Sequence, residues 1–198
     1  MNLLKLSEKE KIITKNILNN VIESLIINYN QLYLYDKNIY KKKTGENIGQ
    51  WGYYITNNLY ELMYELQKNN INKVFDLGAG VGHLIMLLNS FGFKVRGIEI
   101  EQELVNRSKL LTNRIKLNDV FNLTQNDMNK NEALYYWDLF YDKILIEKFI
   151  KHLETIMIKD QLIVFKRGTI KKYLLNSKFF KLVSTDSEIP SIYIMRKL

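Results

Sequence analysis

Apolar positions along this chain recur with two different periods, and the switches between them lay out the elements. From Ser7 to Asn30 they return at Ile13, Ile17, Val21, Leu25 and Ile26, the spacing of a helix with one buried face. Ser7 and Glu10 form an S-x-x-E capping box at its start. Thr56 to Asn70 predicts a second helix with Leu59, Leu62, Met63 and Leu66 on one side, capped by Thr56 and stopped by Asn69-Asn70. Short β-prone runs then alternate with helical ones. Val74–Leu77 predicts a buried parallel strand, Leu84–Phe91 a helix and Lys94–Ile98 a second strand. A helix is expected from Glu101 to about Leu117, with Leu104, Leu111 and Ile115 as its buried stripe. Val120–Asn126 predicts a third strand, Ala133–Trp137 a fourth, Asp142–Ile158 a long helix and Gln161–Phe165 a fifth strand. After a short helix, Ile170–Asn176, the runs Phe180–Ser184 and Ser191–Met195 flank a turn at Pro190 and predict an antiparallel hairpin.

The junction of the first strand and its helix carries the chemistry. Gly78, Gly80 and Gly82 follow Leu77 at alternate positions. Glycines there let the backbone turn sharply and approach a ligand, while the helix start offers unpaired N–H groups. The second strand ends in Glu99, placed to accept hydrogen bonds from ribose hydroxyls. Strand, glycine turn, helix, strand and acid make a nucleotide-binding βαβ unit. It is not a dinucleotide site, because G-x-G-x-x-G would need glycine where His83 stands, and no G-x-x-x-x-G-K-[ST] occurs.

Asp76-Leu77-Gly78-Ala79-Gly80-Val81-Gly82 resembles the first motif of the class I S-adenosylmethionine-dependent methyltransferases, and Glu99 sits where that family places its ribose-binding acid. The resemblance extends from about Gly45 to the C-terminus. It implies an α/β, Rossmann-like, seven-stranded and mostly parallel sheet, closed by a C-terminal antiparallel hairpin and preceded by an N-terminal helical extension. It implies S-adenosyl-L-methionine as cofactor, held by Asp76, Gly78, Ala79, Gly80, Gly82, Glu99 and Ile100, with Asp127 accepting from the adenine amino group. The bland alternative for Asp127 is a turn-forming Asn-Asp pair. The acceptor is expected beside the end of the fourth strand, at Tyr136, Trp137, Asp138 and Tyr141. Adenine-directed amino-methyltransferases carry D/N-P-P-Y/F there; Asp138-Leu139-Phe140-Tyr141 keeps the outer residues and lacks both prolines, which counts against a DNA adenine enzyme. Asp138 and Tyr141 are the candidate catalytic pair, orienting or deprotonating a nitrogen nucleophile.

Composition narrows this picture. With 198 residues, 46% of them hydrophobic, one globular domain is expected over 1–198, with 1–55 as a helical, substrate-facing extension and 56–198 as the cofactor-binding core. No apolar run is long enough for a membrane span, and the N-terminus lacks a secretory core. The absence of cysteine removes thiolate metal sites, disulfides and a cysteine nucleophile, and fits an intracellular, cytoplasmic setting. The net charge of +8 suggests a macromolecular polyanion as partner, although A/T-rich codons also enrich Lys. Between Tyr33 and Tyr54, Lys41, Lys42 and Lys43 lie among tyrosines and Trp51, either a stacking, cationic approach for substrate or a solvated loop. His152 reads as a packed or surface histidine. A macromolecular acceptor is expected, protein nitrogen slightly ahead of RNA or DNA. A small-molecule enzyme and a catalytically idle binding subunit are the competing readings.

Overall fold

The computed structural model describes residues 2–21, 59–137, 139–140, 142–166, 168, 170–186 and 191–198. The Tyr33–Tyr54 segment with Trp51, and the pair Asp138 and Tyr141, lie outside the described residues. The chain divides into two compact units, Met1–Asn70 and Ile71–Leu198.

In the first unit, residues 8–21 (α1) and Leu59–Lys68 (α2) are helical. The capping box forms: the Glu10 carboxylate accepts from Ser7 N at 2.8 Å and from Ser7 Oγ at 2.6 Å. The buried face of α1 is not the one expected. Ile13, Ile17 and Val21 are exposed and Leu18 is buried. Lys11, Lys15 and Leu18 share a helical face; Lys15 pairs with Glu61 of α2, and Lys11 sits 5.9 Å from the Tyr64 ring centroid. Leu3 is buried, and its N–H donates to Gln67 Oε1 at 2.7 Å.

The second unit is a seven-stranded sheet in the order β3-β2-β1-β4-β5-β7-β6. Its strands are Lys73–Leu77 (β1), Lys94–Glu99 (β2), Ile115–Leu117 (β3), Ala133–Tyr136 (β4), Leu162–Lys166 (β5), Phe180–Thr185 (β6) and Ile192–Lys197 (β7). The first five run parallel, and β7 lies antiparallel to both β5 and β6. This is the expected architecture. Helices His83–Ser90 (α3), Gln102–Ser108 (α4), Lys143–Ile156 (α5) and Lys171–Asn176 (α6) complete the unit.

Alternation along the strands assigns the two faces. Phe75, Leu77, Leu134, Tyr136, Ile163, Phe165, Tyr193 and Met195 pack with Ile146, Phe149, Ile150, Leu153 and Ile156 of α5 in one core. Their neighbours in register, Asp76, Gly97, Tyr135 and Val164, turn the other way. On that face a Cβ at Gly97 would lie 2.8 Å from Ile85 Cδ1, so the missing side chain lets α3 close on the sheet.

Two expected elements differ. The helix predicted to about Leu117 ends at Ser108, and Ile115 belongs to β3, paired with Gly97. The strand predicted over Val120–Asn126 is instead two single 3₁₀ turns, Val120–Asn122 and Gln125–Asp127. The cause is local: Asp119 accepts from Phe121 N at 2.9 Å and Asp127 accepts from Thr124 N at 2.8 Å. Such bonds offer the backbone an alternative to a sheet ladder.

The amino edge of the sheet is fastened by polar groups. Arg96 reaches Glu132 through Nε at 3.0 Å and Nη2 at 2.6 Å, and donates from Nη2 to the Asp127 carbonyl at 2.8 Å. Its guanidinium lies 3.6 Å from the Phe75 ring centroid. Buried Gln161 donates to the carbonyls of Asn129 and Glu132. At the hairpin, Asp186 accepts from Ser191 N at 2.8 Å and Ile192 N at 3.1 Å.

Candidate active site

The carboxyl ends of β1 and β2 meet at the glycine bend. Gly78 takes φ +132°, and a Cβ there would lie 2.0 Å from Leu139 Cδ2, so both conformation and space require glycine. Gly82, with φ +89°, sits at the start of α3, where no side chain caps the helix. The bend is tied down by Ala79 N donating to Ile98 O at 2.8 Å and Gly82 N to Ala79 O at 2.9 Å. Ala79 itself fits because β2 carries Gly97 beside it: a Cβ there would meet the Ala79 Cβ at 2.6 Å. Gly97 is a site-shaping residue that sequence reading missed, since a lone glycine inside a strand signals a close approach only once the approaching group is known.

Glu99 is buried, 2% exposed, and points into this junction. Its carboxylate accepts from Gly80 N at 2.9 Å and Glu101 N at 3.0 Å. Burial raises its pKa, and these donors oppose the rise. The Ile100 N–H is a third backbone donor to the same carboxylate. One strand away, Asp76 is 6% exposed; burial, and then the nearby Glu99 charge, push its pKa up to about 8. Burial also lowers the pKa of His83 at the start of α3. A cation arriving beside Asp76 would favour its carboxylate form. Ile100, next to Glu99, leaves an aliphatic side chain 58% exposed.

Asp127 is not part of this junction. Its exposed carboxylate accepts from Thr124 N and Thr124 Oγ1, both at 2.8 Å, and those bonds hold its pKa down. Its carbonyl is held by Arg96, in the belt that leads to Glu132 at the start of β4, near the amino edge. The carboxylate expected to take the adenine amino group is thus engaged by Thr124. The acid at the carboxyl end of β3 is Asp119. It follows Asn118, whose N–H donates to the Glu99 carbonyl at 3.0 Å. The signal was available as the Asn-Asp pair after Ile115–Leu117, but it was hidden by reading those residues as the end of a helix.

On the other side of β1, Tyr136 ends β4. It is fully buried, stacks on Phe149 at 5.2 Å between centroids, and its hydroxyl accepts from Phe140 N at 3.3 Å. Period-2 alternation sends it into the α5 core, not into the crevice. Trp137, the next residue, is half-buried and faces Lys166 at the end of β5, with Nζ 4.6 Å from its ring centroid. His152 packs 5.9 Å from the Phe121 ring, and its buried Nε2 has no hydrogen-bond partner. It is a packed histidine.

A parallel sheet in this order, a glycine bend after its first strand and a buried acid ending its second define the class I S-adenosylmethionine-dependent methyltransferase fold. The family model of a methyltransferase domain matches residues 53–166, more than half of the sequence, and the chain belongs to that family. Solved structures agree in fold. The PH0226 protein of Pyrococcus horikoshii OT3 is 14% identical, aligns over 80% of this chain and 98% of its own, and gives a TM-score of 0.57. Magnesium protoporphyrin IX methyltransferase from Synechocystis PCC 6803, crystallised with bound S-adenosylmethionine, is 18% identical over 82% of this chain and 97% of its own, with a TM-score of 0.53. No curated protein matches the chain in sequence. Among the described residues, no helix is long and apolar enough to cross a membrane, and no cluster of side chains suits a metal ion.

Proposed function

We propose that the carboxyl ends of β1, β2 and β3 bind S-adenosylmethionine and that its methyl group passes to a macromolecular acceptor lying over β4 and β5. The observation that carries this is Glu99, buried at the end of β2 and oriented into the glycine bend by backbone donors that include Gly80 N and Glu101 N, where its carboxylate would meet the ribose hydroxyls. The amino acid end of the cofactor lies over Gly78, Ala79, Gly80 and Gly82. Its carboxylate takes backbone N–H groups of the bend and the start of α3, and its ammonium pairs with Asp76. Adenine packs on Ile100, with Asp119 near its amino group.

The cofactor supplies an electrophilic methyl on a positively charged sulfur. The chain positions an acceptor in line with the departing sulfur, and much of the rate gain comes from holding the two at near-attack distance. With the donor over β1 and β2, the acceptor would lie beside β4 and β5, and Trp137 would face it. A macromolecular acceptor accords with the net charge of +8, and the cysteine-free composition accords with the cytoplasm. A protein amine, favoured from sequence, depends on Asp138 or Tyr141 to remove a proton.

Calorimetric titration with S-adenosylmethionine and S-adenosylhomocysteine tests the assignment. Micromolar affinity is expected for the native chain and a loss of about 100-fold for Glu99→Ala, since hydrogen bonds to a charged group are each worth about 1.5–3 kcal/mol. Equal affinity in the two proteins would remove Glu99 from the ribose.

A further inference from the structure

Lys166 is a charged side chain that the reading above leaves unused, and it is 9% exposed. It ends β5 one residue beyond Phe165, which pairs with Tyr136; Trp137 is likewise one residue beyond Tyr136. Tyr136 and Phe165 turn into the α5 core, so Trp137 and Lys166 turn to the opposite face. That is the face of Asp76, Gly97 and Glu99, by the same register. The ammonium lies against the indole, 4.6 Å from its centroid, a contact that holds both in place. Two residues after Trp137, Leu139 touches Gly78 at the donor bend. The lysine thus stands on the acceptor side of the crevice, at the neighbouring strand end.

We propose that Lys166 binds the acceptor atom and that this atom is an oxygen which carries negative charge as it reacts. This rests on the methyl-transfer reading. An ammonium has three N–H donors, so Lys166 can keep other partners and still present one to the acceptor. The donor already brings a positive sulfur. A second fixed cation stabilises an attacking oxyanion and repels the ammonium of a lysine acceptor. In the reaction, the oxygen's lone pair forms the new bond to the methyl carbon while the carbon–sulfur bond breaks. That bonding pair stays on sulfur, giving neutral S-adenosylhomocysteine. A hydroxyl acceptor gives its proton to water as the oxyanion forms; a carboxylate acceptor has none to lose.

The test uses the full chain, tritiated-methyl S-adenosylmethionine and an extract of cells lacking this protein. Recovered label is sorted by linkage: base-labile methyl ester, stable methyl ether, or methylated amine. Oxygen-linked label is expected. Lys166→Met should lower the transfer rate about 100-fold, the loss typical of one electrostatic stabiliser, with affinity for S-adenosylhomocysteine within about twofold. Lys166→Arg should recover part of the rate by restoring an N–H donor. Label on nitrogen, transfer by Lys166→Met within about threefold of native, or cofactor binding without transfer to any oxygen would each overturn the proposal. The linkage result on the native chain stands even if a variant fails to fold. Failure of the native chain to bind S-adenosylhomocysteine would instead sink the methyltransferase reading beneath it.

Discussion

Asp76→Asn separates the stability of the empty protein from its affinity for cofactor, and the two should move in opposite directions. Asp76 is buried with a pKa of about 8, against 3.8 for an ordinary aspartate. Between those values the folded chain holds a proton that the unfolded chain gives up. Stability from this group is therefore fully present below about pH 4 and is lost as pH rises toward about 8. At pH 7 the span is about three pH units, or up to ~4 kcal/mol at 1.36 kcal/mol per unit. Asparagine keeps the shape and cannot ionise, so the variant should be more stable than the native chain at pH 7 by about 2–4 kcal/mol. For a chain of this size that raises Tm by roughly 5–15 °C. The gain should shrink toward zero near pH 4, and denaturant melts from pH 4 to pH 8 measure the slope. The same substitution removes the charged partner of the cofactor's ammonium, so affinity should fall about 10- to 100-fold. Because that ammonium favours ionised Asp76, native binding at pH 7 should release close to one proton, visible as buffer-dependent calorimetric heat. Parallel stability curves for the native and Asp76→Asn proteins across this range would refute the argument from burial.

Gly78→Ala should destabilise the chain by more than the ~1 kcal/mol typical of an unfavourable backbone conformation, because its Cβ also strikes Leu139. Adding Leu139→Ala should recover only the collision part in chemical denaturation, since φ stays at +132°; full recovery would show that the backbone conformation costs nothing. Arg96→Met should cost about 1–3 kcal/mol by stranding the buried Glu132 carboxylate. S-adenosylhomocysteine affinity should be unchanged in that variant, and a coupled loss would place Arg96 in the cofactor site.

The central unit was legible because its signals are local and continuous. Val74–Leu77, the glycines, and the run from Lys94 to Glu99 each dictate their conformation without distant help, and the buried stripe of α5 is long enough to define its period. The third strand was not legible. Ile115, Lys116 and Leu117 are only three residues with one buried side chain, and Ile115 continues the helical spacing of Leu104 and Leu111. That misreading hid Asp119, the acid that follows β3. The facing of Tyr136 was hidden for another reason: which of two adjacent aromatics enters the α5 core is fixed by register with β5, and one sequence cannot supply that. Lys166 went unnoticed because a terminal lysine on a buried strand looks like an ordinary solvated end until Trp137 is set beside it.

Leu139 has a consequence for anyone re-engineering this enzyme. Three neighbouring residues share the work: Trp137 supplies the indole under Lys166, Leu139 rests on Gly78, and Phe140 gives its N–H to the hydroxyl of Tyr136. On the proposed function, the donor and acceptor sites share that wall as two rooms share a partition. Widening one to admit a new substrate shifts the other, so changes of specificity here must be selected together with retention of the methyl donor.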